Sequence, residues 1–174
     1  SLLALLNTGS DLGKEYAAEA LINLAHNNPN TQNLIVKNDD AIPSLLALLN
    51  TGSDRGKANA AYALASLAYN NPNNQNLIVE SGAIPSLISM LNNESYDVRA
   101  NAACILGKMI RNNLITQDLI VRNDDAIPSL VALLNTESEY AAEALINLAH
   151  NNPNNQNLIV KNDDAIPSLL ALLN

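Results

Sequence analysis

The sequence predicts an all-α fold of stacked helical repeats, and three observations carry that expectation. Ala-Ile-Pro-Ser-Leu recurs with its proline at Pro43, Pro85, Pro128 and Pro167. Asn-Asn-Pro-Asn recurs with Pro29, Pro72 and Pro153, and Leu114 stands in for the proline in the third copy. Both landmarks return at steps of 39 to 43 residues, the signature of a repeat array. Between them, apolar residues follow the helical period, and no segment sustains the alternation of a strand. The 174 residues therefore read as a single array: a partial unit 1–28, full units 29–71, 72–113 and 114–152, and a partial unit 153–174.

Each unit holds three helical segments of rising length. The first is short, Pro29 to Asn38 in the first full unit. Asn28 caps it, and Pro29 fits the first helical position because its missing N–H costs nothing there. The second runs from Ile42 to Asn50, with Asp40 before it and Pro43 in its first turn. The third is the longest, Asp54 to Asn70. In its first copy Tyr16, Ala20, Leu21, Leu24 and Ala25 share one face. Alanine-rich stretches such as Ala58 to Ala65 permit close helix approach. Clusters of Asn, Gly, Ser and Asp between the segments are the turns.

The last full unit lacks four residues where its third helix begins: the stretch 7–16 becomes Asn135-Thr136-Glu137-Ser138-Glu139-Tyr140. That helix should start later, after a tighter turn. One unit cannot bury its apolar face alone, whereas stacked units share a continuous core. The chain opens and closes inside second helices, so it reads as a slice of a longer array. Its uncapped ends are expected to support weak self-association through the terminal helices.

Composition narrows the partners. Nine Lys and Arg oppose 17 Asp and Glu, for a net charge of -8. Duplex nucleic acid and anionic membrane are disfavoured, because both are bound mainly through Lys and Arg. No apolar run approaches the ~18 residues of a membrane span. One cysteine permits no internal disulfide, and a cytoplasmic setting is expected. With no Trp and no Phe, the core must come from Leu, Ile, Val and Ala. Asn is in excess, at 29 residues, mainly in the turn before each first helix, where capping and turn conformations favour it.

The units resemble the armadillo repeat. Asp-Ala-Ile-Pro-Ser-Leu-Leu-Ala-Leu-Leu is similar to that family's second helix, and Ala-Ala-Tyr-Ala-Leu-Ala-Ser-Leu-Ala (60–68) to its third. HEAT repeats are the near neighbour, usually with two helices per unit. The resemblance implies a right-handed superhelix whose third helices line a concave, peptide-binding groove. The family's groove Trp position aligns with Glu19, Tyr62, Cys104 and Glu143, and its groove Asn position with Asn23, Ser66, Lys108 and Asn147. Importin-alpha-like members grip basic cargo with a Trp and Asn ladder. This chain has no Trp and two of the four Asn, which argues against nuclear import in that form.

The same face can be read from spacing alone. Glu15, Glu19, Asn23 and His26 fall on one helical stripe, and Glu139, Glu143, Asn147 and His150 repeat it. The middle units present Tyr62, Ser66 and Tyr69, then Cys104, Lys108 and Arg111. The stripe is acidic, then aromatic and polar, then basic, then acidic. Net charge follows it: -3 over 1–53, +1 over 54–122 and -6 over 123–174. These fourteen residues form the expected peptide groove, with basic segments of a peptide over Glu19 and Glu143.

Nothing points to catalysis or a cofactor. Gly52-Ser53-Asp54-Arg55-Gly56-Lys57 is one residue short of a phosphate loop, ends in Ala58 and follows no strand. Cys104 lies in an apolar helix with no histidine near it in sequence, and His26 and His150 are too far apart to share a metal. The pairs Asp39-Asp40, Asp124-Asp125 and Asp163-Asp164 are read as helix caps and favourable charges at helix N-termini. No enzyme activity is expected. The expectation is a protein- or peptide-binding scaffold; the alternative is a structural or engineered module with no dedicated ligand. Near-identity of the copies bears on that alternative. Residues 15–50 and 139–174 match at 35 of 36 positions, and 1–14 and 44–57 differ only at Leu12 against Arg55. Recent tandem duplication and laboratory assembly from one module both account for it.

Overall fold

The computed structural model describes residues 2–136 and 138–173, and among these it is helical, with no strand. The helices are α1 Leu2–Thr8, α2 Asp11–Ala25, α3 Pro29–Val36, α4 Ala41–Thr51, α5 Asp54–Ala68, α6 Pro72–Glu80, α7 Ala83–Leu91, α8 Tyr96–Ile110, α9 Leu114–Val121, α10 Ala126–Leu134, α11 Glu139–Ala149, α12 Pro153–Val160 and α13 Ala165–Ala171. They form two compact units, residues 1–86 and 87–174, with the boundary inside α7.

In the first unit α2 packs along α5, and α4 packs on both α1 and α5. Leu6, Leu45, Leu64, Leu67 and Ile78 are completely enclosed. Burying each such side chain contributes roughly 1.5–3 kcal/mol. Ala17, Ala18, Ala60, Ala61, Ala63 and Ala65 have no exposed surface, so backbones rather than long side chains set the α2–α5 spacing. In the second unit α11 packs along α8 in the same way. Its core is Leu87, Leu91, Ile105, Leu106, Met109, Ile110 and Ile120. The buried face of α2 is Ala17, Ala18, Leu21 and Ala25, whereas Tyr16 and Leu24 are about half exposed and Ala20 is intermediate. Helical period alone could not choose between these neighbouring stripes, because alanine fills both.

Serine caps three of the third helices: Ser10 Oγ accepts from Gly13 N–H, Ser53 Oγ from Gly56 N–H and Ser138 Oγ from Ala141 N–H, whereas Ser95 before α8 makes no side-chain capping bond. The deletion shortens α11 to 11 residues, against 15 in α2, α5 and α8. The second helices differ from the expectation. Asp40, Asp125 and Asp164 precede them but make no side-chain capping bond. Their own N–H groups are instead held by Asn38, Asn123 and Asn162 Oδ1. Each aspartate adopts right-handed helical backbone, outside the extended form in which a cap side chain reaches back to the first turn.

Asparagine builds the junction between third and first helices. Asn27, Asn70, Asn112 and Asn151 take the left-handed conformation that reverses the chain. The next residue, Asn28, Asn71, Asn113 or Asn152, caps the first helix with its side chain. These caps also bond between repeats: Asn71 Nδ2 donates to Gln32 Oε1 and Asn33 Oδ1, and Asn152 Nδ2 to Gln117 Oε1 and Asp118 Oδ1. A second set joins neighbouring second helices, where Ser44, Ser129 and Ser168 donate to Asn7, Asn92 and Asn135.

Candidate peptide-binding groove

The stripes lie on α2 and α5 in the first unit and on α8 and α11 in the second. On α2, Glu19, Asn23 and His26 are exposed, and His26 Nε2 lies 3.1 Å from Asn27 Nδ2. Glu15 is drawn inward, to 8% exposure. One carboxylate oxygen accepts from Ser53 Oγ at 2.6 Å, and the other lies 3.6 Å from Arg55 Nε. The same guanidinium reaches Glu19 through Nη2 at 3.4 Å and stands over the Tyr16 ring, 5.6 Å from its centroid. Arg55 thus joins Glu15, Glu19 and Tyr16 into one cluster. Sequence reasoning missed this residue, although its signal was present as the one change between the 1–14 and 44–57 copies.

On α5, Tyr62, Ser66 and Tyr69 are half-buried. The carbonyls of Ser66 and Tyr69 accept from Gln32 Nε2 at 2.9 and 3.3 Å, so a first-helix glutamine ties down the end of the third helix. In the second unit Arg111 is exposed, Lys108 is half-buried and Cys104 is 6% exposed. Cys104 is enclosed in the packing around α8. Lys108 and Arg111 fall at the C-terminal end of α8, where the helix dipole favours positive charge. Glu139 opens α11 at the end that favours negative charge, and Glu143 follows one turn on; both are exposed. Neither makes an ion pair among the described residues.

Asn147 is half-buried and donates to Gly107 O at 3.1 Å, while His150 Nε2 lies 3.1 Å from Asn151 Nδ2. Gly107 on α8 packs against the α11 backbone, with Ala144 Cα 3.5 Å from where a Cβ on residue 107 would sit. The glycine- and lysine-containing run at 52–57 is a helix start, with Ser53 as its cap. Among the described residues no three His, Cys, Asp or Glu side chains converge as metal ligands, and no helix is long and apolar enough to cross a membrane.

The comparisons with known proteins agree with this architecture. No curated protein matches the chain by sequence. A designed armadillo repeat protein superposes with a TM-score of 0.90 at 24% identity, over 99% of this chain and 73% of that one. An engineered protein matches at 0.90 and 25% identity, over 99% and 70%. A second designed armadillo repeat protein, in complex with the peptide (KR)4, matches at 0.89 and 23% identity, over 99% and 72%. The family model for HEAT repeats covers residues 42–149. With most of its length under that model and three helices in each full repeat, the chain belongs to the HEAT-repeat family and takes the armadillo form of its solenoid.

Proposed function

We propose that this repeat scaffold binds an extended, basic segment of a partner protein along its third helices and performs no catalysis. The carrying observation is an exposed carboxylate on a third helix of each unit: Glu19, one turn from the amide of Asn23, on α2, and Glu139 with Glu143, one turn apart, on α11. Exposed carboxylates at one-turn spacing suit the lysine and arginine side chains of an extended peptide. The net charge of -8 adds long-range attraction for such a segment. The basic peptide (KR)4 carried by one structural neighbour of the same fold supports the reading. The reading takes residues 1–174 as one array, with Lys108 and Arg111 receiving an acidic residue of the partner.

Fluorescence anisotropy with labelled (KR)4 tests it, using the wild type and the Glu19→Lys, Glu143→Lys double variant. Saturable binding that weakens with salt, and weakens at least about tenfold in the double variant, is the expected result. Binding that ignores both salt and the substitutions would remove the acidic stripe as the site. No binding at all would favour a structural module without a dedicated ligand.

A further inference from the structure

Side chains near the start of a first helix reach back to the end of the third helix before it. Asn74 and Asn155 donate through Nδ2 to the carbonyls seven residues earlier, Leu67 O and Leu148 O. One position on, Gln32 and Gln156 donate through Nε2 to Ala25 O and Ala149 O, again seven residues earlier. On α9 these two positions are Thr116 and Gln117, and the matching carbonyls are Met109 O and Ile110 O at the end of α8. Both side chains are wholly buried, and neither Thr116 Oγ1 nor Gln117 Nε2 has a partner among the described residues. The threonine hydroxyl lies one bond nearer the backbone than an asparagine amide nitrogen, so it falls short of the carbonyl. The glutamine amide is oriented from its other end. Asn152 Oδ1 accepts from Asn155 N–H, which leaves Asn152 Nδ2 to donate to Gln117 Oε1 at 3.3 Å. That bond fixes Nε2 as the unpaired end of the Gln117 amide.

We propose that the α8–α9 junction is a water-binding site, in which a buried water accepts from Thr116 Oγ1 and Gln117 Nε2 and donates to Met109 O and Ile110 O. Bare buried donors cost stability, and native proteins pair them with protein groups or with water. A buried water typically makes about three hydrogen bonds to otherwise unsatisfied groups, and this junction supplies two donors and two acceptors. Ile110 O also accepts from Asn113 N–H at 3.1 Å, which leaves its second lone pair for the water. The mixture selects the ligand. An anion would suit the donors and repel the carbonyl oxygens, and a cation would do the reverse, whereas water satisfies both. The junction thus keeps with solvent the connection that other first helices make with an amide.

A crystal structure of the full chain, at a resolution that shows ordered solvent, tests the proposal directly. The expected result is one water about 3 Å from both Thr116 Oγ1 and Gln117 Nε2. In Thr116→Asn that water should leave, with the new Nδ2 bonded to Met109 O. Urea denaturation of Thr116→Val gives an independent reading, because the two states of the hydroxyl predict opposite signs. Deleting a hydroxyl that holds a bound water breaks a hydrogen bond and lowers the urea midpoint; deleting a bare buried hydroxyl removes a penalty and raises it. A lowered midpoint together with the water supports the site. If no water is present, or if Thr116 and Gln117 bond protein carbonyls directly in the crystal, the proposal falls. It falls equally if the midpoint of Thr116→Val is unchanged or raised, since the hydroxyl then holds nothing.

Discussion

Asn70 has φ of 53°, and Asn27, Asn112 and Asn151 share that left-handed geometry at the ends of the other third helices. Asparagine tolerates this region better than other residues with a Cβ. Asn70→Ala should therefore cost about 1 kcal/mol, and Asn70→Gly should restore it, read from urea midpoints. A second position points the other way. Asn74 and Asn155 each donate to a carbonyl seven residues earlier, Leu67 O and Leu148 O. The corresponding Thr116 is wholly buried, and its hydroxyl has no partner among the described residues. Thr116→Asn should supply the missing bond to Met109 and stabilise the protein by about 1 kcal/mol in the same assay. The turn role of the asparagines was legible in the sequence because Asn-Asn-Pro-Asn recurs at a fixed place. Which asparagine turns, which caps and which bridges was not, since adjacent identical residues differ only in backbone angles.

Helices were the most legible elements. Repeated proline positions, the asparagine cap before each first helix and the missing four residues set their order and lengths, and the structure differs by a residue or two at the ends. Facing was harder to read. On α2 an alanine-rich segment offers two adjacent stripes of similar hydropathy, so Tyr16 and Leu24 could not be told from core positions. Asp40 illustrates a second gap: residue type predicts a cap, but its backbone angles decide whether the side chain reaches. Inter-repeat bonding lies at the same scale. Among the described residues Asn28 makes its capping bond alone, while Asn71 caps and also donates to Gln32 and Asn33 of the preceding repeat. Asn71→Ala should cost about 2–3 kcal/mol and Asn28→Ala about 1 kcal/mol. Equal losses in chemical denaturation would mean the inter-repeat bonds contribute nothing net.

Across the whole molecule, charge is unevenly distributed, with the final segment at -6 and the middle at +1. A basic partner should associate fastest at low salt. Raising the ionic strength from 50 to 500 mM is expected to slow association by about tenfold or more in stopped-flow measurements while changing dissociation little. A salt effect confined to dissociation would contradict electrostatic steering. Of the candidate groove, the carboxylate spacing was legible in the sequence, whereas the burial of Glu15 and Cys104 and the reach of Arg55 depend on the neighbouring helix and were not. The buried amides carry one more consequence, for lifetime. Asn74 and Asn155 hold their repeats through side-chain NH2 groups aimed at carbonyl oxygens, and asparagine is among the heat-labile residues. Hydrolysis of either amide leaves a carboxylate facing that oxygen, with repulsion where there had been a bond. Loss of that single amide would thus turn the glue between repeats into a wedge.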